Sequence, residues 1–199
     1  MRGLGWMHSQ SVLHQDIKPA NIMLEMVGGY EVAKVVDFGI AKVLSGTRHT
    51  ATGRVVGTPA YMAPEQAKGE NDKVSPETDV YALGAILYKI LSGLPAYPGN
   101  KLLEVLELVR NEAPKPFAEV LERRLSNRVA LSQLPPELVQ ACEKAMAREK
   151  DARFPSAKEF GKVIQEWLEG AKKRAQALAI FEQTLPIQQQ MRMLSDESR

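Results

Sequence analysis

The sequence predicts an α+β fold that is mostly helical and carries one short β-hairpin near its N-terminus. Three observations lead there. In "EVAKVVDFG" (residues 31–39), Val32, Lys34 and Val36 alternate with Ala33 and Val35, the two-residue period of a strand, directly after a turn at Gly28 and Gly29. The nearly all-apolar run from Pro76 to Leu91 follows Ser75 and opens with proline, a helix start of ordinary length. Three further segments, Lys101 to Arg110, Pro136 to Ala147 and Ser156 to Leu168, repeat apolar residues at helical spacing.

In chain order, residues 3–10 read as the last turns of a helix, and the chain to about residue 40 reads as strand and loop. Residues 45–75 are rich in Gly, Thr, Ser and Pro without any period, which predicts a long loop of the kind that carries function. The helix from Pro76 ends at Gly93 and Pro95 and, being apolar on most faces, should be buried. The next three helices stop near Pro114, at Arg153 to Pro155, and at Gly170. Beyond Gly170 the composition shifts to Ala, Gln, Lys and Arg, and Ala171, Ala175, Leu178 and Phe181 keep helical spacing up to Pro186. That is a helical tail or linker, so the expected division is residues 1–169 and residues 170–199.

A chain of 199 residues supports one good-sized core with a short appendage. Its 44% hydrophobic and 25% charged content is that of an ordinary soluble globular protein. The net charge is +2, and residues 1–100 carry nine basic and nine acidic side chains, so no nucleic-acid partner is expected. Cys142 stands alone, which predicts no internal disulfide and a reducing, cytoplasmic setting. The longest apolar stretch, "YALGAILYKIL", is interrupted by Gly84 and Lys89 and falls short of the ~20 residues that span a bilayer. No membrane segment and no signal peptide are expected in this chain.

The chemistry concentrates in "VLHQDIKPANIML", residues 12–24. A loop with Asp16, Lys18 and Asn21, stiffened by Pro19, can set a carboxylate beside a hydroxyl, an ammonium near a phosphate oxygen and an amide oxygen on a metal. Phosphoryl transfer needs little else, because positioning and positive charge stabilise its transition state. A second carboxylate, Asp37, follows the strand, with Phe38 as anchor and Gly39 as hinge. Taken alone, Asp37-Phe38-Gly39 is a turn after a strand, and His14 alone is more often a packed core imidazole than a catalyst.

The ordered series His14 to Asn21, Asp37-Phe38-Gly39, Gly57-Thr58-Pro59, Ala63-Pro64-Glu65 and "DVYALG" from Asp79 resembles the C-terminal lobe of eukaryotic-like protein kinases over residues 3–168. Lys18 and the Thr58-Pro59 pair look like the serine/threonine branch, and "KPANIML" and "YMAPEQ" are similar in style to bacterial members. Small-molecule phosphotransferases of related fold share the aspartate and asparagine but lack Ala-Pro-Glu. The resemblance implies a protein-kinase-like α+β fold, here a mostly helical C-lobe with its hairpin and with the N-lobe absent. It implies ATP and Mg²⁺ as cofactors and a protein Ser/Thr hydroxyl as substrate. It also implies roles: Asp16 accepts the hydroxyl proton, Lys18 neutralises the transferring phosphate, Asn21 and Asp37 hold magnesium, and Met23 lies under adenine. Thr58 would shape substrate docking, Glu65 would pair with Arg153, Asp79 would brace the catalytic loop, and His14 and Phe38 would pack in the hydrophobic spine.

Two departures matter. No Gly-rich phosphate loop, Val-Ala-Ile-Lys strand or partner glutamate precedes His14, so the isolated chain is expected to bind ATP poorly, to transfer phosphate slowly, and to associate through apolar surface that would meet the missing lobe or a partner kinase. The alternative is a non-catalytic half-kinase that serves as a binding or scaffold module. Second, Gln15 stands where most such kinases carry an arginine that pairs with a phosphorylated loop residue, and a neutral amide makes no charge-assisted pair. Ser45, Thr47, Thr50 and Thr52 remain acceptors near Arg48 and Arg54. In the complete protein, Thr50→Ala and Thr52→Ala are therefore expected to leave the phosphorylation rate within about twofold of wild type; a large loss in a radiolabelled-ATP assay overturns the inference from Gln15.

Overall fold

The structure, a computed structural model, describes residues 2–37, 59–122 and 134–197. Phe38, Gly39, Thr58 and the acceptors and arginines between residues 45 and 54 lie outside the described residues. The chain divides into two compact units, Met1–Gly161 and Lys162–Arg199.

The first unit opens with α1 (Arg2–Ser9) and a two-stranded antiparallel sheet, β1 (Ile22–Val27) and β2 (Tyr30–Val35). Their register runs from Ile22 opposite Val35 to Val27 opposite Tyr30. Gly28 and Gly29 close the hairpin with φ of 59° and 84°, the double left-handed turn that matches strand twist and that side chains resist. Burial does not follow the alternation. Ile22 and Val35 at the base are half-buried, whereas Leu24, Met26, Val27 and Tyr30 are exposed.

The helices follow as α2 (Pro64–Lys68), α3 (Pro76–Ser92), α4 (Leu102–Asn111), α5 (Phe117–Glu122) and α6 (Pro136–Ala145). The helix α3 is the core of the unit: Val80, Tyr81, Ala82, Leu83 and Ala85 are all buried, as its lack of a polar face requires. Its tyrosines carry the core outward by stacking and by satisfied hydroxyls. Tyr81 meets Tyr97 at 2.7 Å between hydroxyls, Tyr97 donates to the Glu112 carbonyl, and Tyr88 donates to the Lys115 carbonyl and packs on Phe117 with centroids 4.7 Å apart. Val105, Leu106 and Val109 of α4 close one side.

Three differences from the sequence expectations have physical causes. The expected loop 45–75 contains α2 and short 3-10 turns at Pro59–Tyr61 and Asn71–Lys73 in its described part, and α5 had no expected counterpart. Elements of five or six residues are too short to display a 3.6-residue period. The last helix, α7 (Ala157–Glu197), runs through both Gly170 and Pro186. Glycine commonly ends a helix by turning left-handed, and Gly170 does not turn so; alternating alanines from Ala171 onward supply strong helix formers. In the second unit Leu168, Leu178, Ile180 and Phe181 are exposed along this helix. Among the described residues no helix is long and apolar enough to cross a membrane.

The helices α3 and α6 cross in close contact at Gly84. A Cβ built on Gly84 would lie 2.8 Å from both Ala145 Cβ and Met146 Cγ, and the Cys142 thiol donates to the Gly84 carbonyl at 3.3 Å. The carbonyl carbon of Ala145 lies 3.4 Å from the same point, so an added side chain meets the backbone of α6 as well as its side chains. Gly84→Val is expected to destabilise the first unit by about 1 to 3 kcal/mol through overpacking, read as a lower urea midpoint at unchanged m-value.

Candidate active site

The site is built on one fully buried carboxylate. Asp79, in the first turn of α3, accepts the Gln15 N–H at 2.7 Å on Oδ1 and the His14 N–H at 2.8 Å on Oδ2. These bonds hold the loop between α1 and β1 in a shape it would not adopt alone: Gln15 has φ of 63°, in the left-handed region. Its carbonyl is fixed as well, accepting from Gln66 Nε2 at 2.9 Å. Backbone strain persists where the surroundings over-determine it, and here both backbone polar groups of one residue, Gln15, are held.

Beyond Gln15 the loop places three of the candidate side chains together. Lys18 Nζ donates to Asp16 Oδ2 at 2.8 Å, and Asn21 Nδ2 donates to the same oxygen at 3.1 Å and to the Asp16 carbonyl at 2.8 Å. Asp16 and Lys18 are half-buried and Asn21 is buried. A cleft of about 10 Å³ lined by Asp16, Lys18, Tyr61 and Gln66 opens beside the carboxylate, room for one water or one hydroxyl group. A larger cavity of about 240 Å³, walled by Tyr88, Phe117, Cys142 and Met146, lies away from this cluster and gathers no comparable set of groups. Chemistry, not volume, locates the site.

Asp37 is tied to the same loop through the backbone. The Val36 N–H donates to the Asn21 carbonyl at 2.9 Å, and the Val36 carbonyl accepts from His14 Nε2 at 3.1 Å. His14 Nδ1 accepts the Asp16 N–H at 3.3 Å, so the ring proton sits on Nε2. His14 is therefore more than a packing element: fully buried, it joins the Asp16 backbone to the strand end that carries Asp37. Asp37 is exposed, with φ of 56°. The amide nitrogen of Asn21 is committed to Asp16, which turns its carbonyl oxygen the other way. Amide oxygen and carboxylate are hard donors of the type magnesium takes. Among the described residues no three His, Cys, Asp or Glu side chains gather as a metal group. Met23 lies on β1 opposite Lys34 and is exposed.

A second buried charge, the Glu65 carboxylate, is held by the residue just before Asp79. Thr78 Oγ1 donates to Glu65 Oε1 at 2.8 Å, and Arg153 grips the same carboxylate at two points, Nη1 to Oε1 at 2.9 Å and Nη2 to Oε2 at 3.0 Å. Arg153 uses its remaining donors on the carbonyls of Ala147, Glu77 and Arg148, and its guanidinium lies over the Tyr81 ring at 4.8 Å. Burial pushes the Glu65 carboxyl upward, but the hydrogen bonds and charge of Arg153, with Thr78, bring it below its usual 4.5.

Two participants escaped the sequence reading. Gln66 braces Gln15, and His8 reaches Asp79 Oδ2 from α1 at 3.0 Å. Neither belongs to a local pattern; His8 lies 71 positions from its partner, and only its place on the inner face of a short helix hinted at burial.

Because the folded carboxyl of Glu65 titrates below its unfolded counterpart, its contribution is complete above about pH 4.5 and is lost as pH falls through the lower folded value. Chemical-denaturation midpoints from pH 7 to 3 should drop in wild type below about pH 4.5, with a shallower drop in Glu65→Gln. Arg153→Met leaves the Glu65 charge buried and unpaired, and is expected to cost about 3 to 5 kcal/mol at neutral pH.

With this geometry in hand, comparison with known proteins is specific. Residues 1–168 match the protein kinase domain. The chain is 34% identical over 172 residues to the probable serine/threonine-protein kinase PknB of Bifidobacterium longum, an overlap of 85% of this chain and 23% of that protein. It is 38% identical over 161 residues to the serine/threonine-protein kinase PknB of Mycolicibacterium smegmatis, covering 80% of this chain and 23% of the relative. The PknB kinase of Mycobacterium tuberculosis is 35% identical over the same length of 161 residues. The chain thus spans about a quarter of the curated relatives it matches. From the match over residues 1–168 and the identity to bacterial serine/threonine-protein kinases, the chain belongs to the protein kinase domain family, on its bacterial serine/threonine side.

Proposed function

We propose that residues 1–169 form the phosphoryl-transfer lobe of a serine/threonine protein kinase that moves the γ-phosphoryl group of ATP to a Ser or Thr hydroxyl of a protein, with residues 170–199 as a helical linker. The observation that carries this reading is the convergence of Lys18 Nζ and Asn21 Nδ2 on one oxygen of Asp16. In this reading Asp16 orients the substrate hydroxyl and accepts its proton, and Lys18 places its ammonium where the transferring phosphate gathers charge. Asn21 Oδ1 and Asp37 would hold Mg²⁺, which when bound neutralises the phosphate oxygens. Exposed Met23 offers an apolar wall for adenine, and Thr58 shapes the substrate side.

The exposed apolar side chains of the hairpin, Leu24 and Met26 with Val27 and Tyr30, support a further part of the reading: the sheet is completed by a nucleotide-covering lobe or by a partner kinase surface. The reaction is placed in the cytoplasm, where ATP and magnesium are abundant. The same hairpin favours the second reading, a binding module that docks a partner without transferring phosphate.

Phosphate transfer by the complete polypeptide separates the two. Asp16→Asn is expected to lower kcat by about 10² to 10⁴ while KM for ATP changes little, because the carboxylate acts on the proton and not on nucleotide binding. Wild-type protein that transfers no phosphate to casein or to itself, with both lobes present and Mg-ATP bound, leaves the binding module as the function.

A further inference from the structure

The side-chain amide of Gln66, in α2, has one possible orientation. The Ala63 N–H donates to its Oε1 at 3.3 Å, and its Nε2 donates to the Gln15 carbonyl at 2.9 Å. A backbone N–H only donates and a carbonyl only accepts, so turning the amide over would set like groups against each other at both ends. The helix it stands on is fixed through the residues on either side: Arg153 grips Glu65, and the Ala67 carbonyl accepts from Arg110 Nε at 2.6 Å. The Gln15 carbonyl, for its part, belongs to the peptide plane that leads into Asp16. The opposite edge of that plane is the Asp16 N–H, which donates to His14 Nδ1 at 3.3 Å. The plane is therefore held at both edges, by α2 through Gln66 and by the His14 ring.

We infer that Gln66 is a positioning residue for phosphoryl transfer, fixing from α2 the peptide plane that leads into Asp16; this rests on the kinase reading above. The plane itself is rigid, so its setting is decided by ψ of Gln15 and φ of Asp16, and these also decide where the Asp16 Cα–Cβ bond points. Lys18 and Asn21 hold the Asp16 carboxylate from within its own loop and travel with that loop. Gln66 differs in that it refers the loop to a separate element. The cleft of about 10 Å³ beside Asp16 has one wall on the loop and another on Tyr61, Met62 and Gln66, so its width depends on the bond between them. With that bond removed, Gln15 has left-handed strain to release and one anchor fewer against releasing it. The task calls for an amide: a carboxylate accepts without donating, an ammonium donates without accepting, and Gln66 does both at once.

Two variants of the complete polypeptide separate the loop contact from the helix cap. Gln66→Glu keeps the acceptor for the Ala63 N–H and sets a carboxylate oxygen against the Gln15 carbonyl; Gln66→Met keeps the length and removes both contacts. Hydrogen exchange of individual amides is expected to quicken by about tenfold or more at Gln15 and Asp16 in both variants, and at Ala63 in Gln66→Met alone. The amides of Val109 and Cys142, in α4 and α6, should change by less than about threefold in either. Loop amides unchanged in Gln66→Glu would make Gln66 a helix cap, and equal acceleration at every amide would make it a general stabiliser; each result overturns the proposal. Should neither variant fold, the wild-type side chain decides: one slowly exchanging Nε2 proton is required, and two that exchange like those of a free glutamine amide defeat it. In transfer assays kcat is expected to fall about tenfold in both variants with KM for ATP unchanged. Unchanged kcat alongside accelerated loop amides overturns the role in transfer. Wild-type protein that transfers no phosphate defeats the kinase reading and that role with it, while the exchange pattern still decides whether Gln66 fixes the Asp16 peptide.

Discussion

A carboxylate withdrawn from water organises the whole face that carries Asp16, Lys18 and Asn21. Asp79 is 1% exposed, and a charge so placed must be met by donors at close range. It finds them in the backbone of residues 14 and 15 and in His8. The loop is thereby shaped from below, by a helix already fixed through apolar packing, and not by its own turn propensities. This explains how Gln15 holds a left-handed backbone that glycine or asparagine would adopt more readily.

The neighbouring residue performs a parallel task with opposite partners. Thr78 receives the Ser75 N–H and passes a hydrogen bond to Glu65, which Arg153 holds at two points. Adjacent positions on α3 thus anchor two buried charges: one held by neutral N–H groups and a neutral imidazole, the other by a guanidinium whose five donors all find acceptors. Replacing a well-packed buried ion pair by apolar residues is often harmless to stability, whereas halving one is not. The value of the Glu65–Arg153 pair lies in the registry it enforces between α2 and the segment after α6, since Arg153 also engages the Ala147 and Arg148 carbonyls.

What could be read from the sequence and what could not divide along the range of the interactions. The apolar run of α3 and the Gly28-Gly29 turn declare themselves locally, because each satisfies its own backbone and its own period within a few residues. The grouping of Asp16, Lys18 and Asn21 was equally legible, because a single loop of six residues carries all three. The helices α2 and α5 were invisible for the converse reason: each is little more than one turn, stabilised by burial of Ala67 and Phe117 in contacts that no local pattern encodes. His8 and Gln66 belong to the same class. Their partners are distant in sequence, and a lone histidine on a short helix carries no mark of the carboxylate it will meet.

The hairpin shows how the anchored loop extends its control outward. A two-stranded ribbon is marginal by itself in water, and here most of its apolar side chains lie exposed. Its base is nevertheless fixed, because the Val36 N–H bonds to Asn21, and His14 bonds to the Val36 carbonyl with one nitrogen and to the Asp16 backbone with the other. Position therefore passes from Asp79 to the His14 backbone, through the His14 ring to Val36, and so to Asp37. The two oxygen donors suited to a divalent cation, Asn21 and Asp37, inherit their placement from the same buried carboxylate that orients Asp16. A change at Asp79 would disturb Asp16 and the oxygen donors of Asn21 and Asp37 together, while a change at the hairpin tip would leave all three in place.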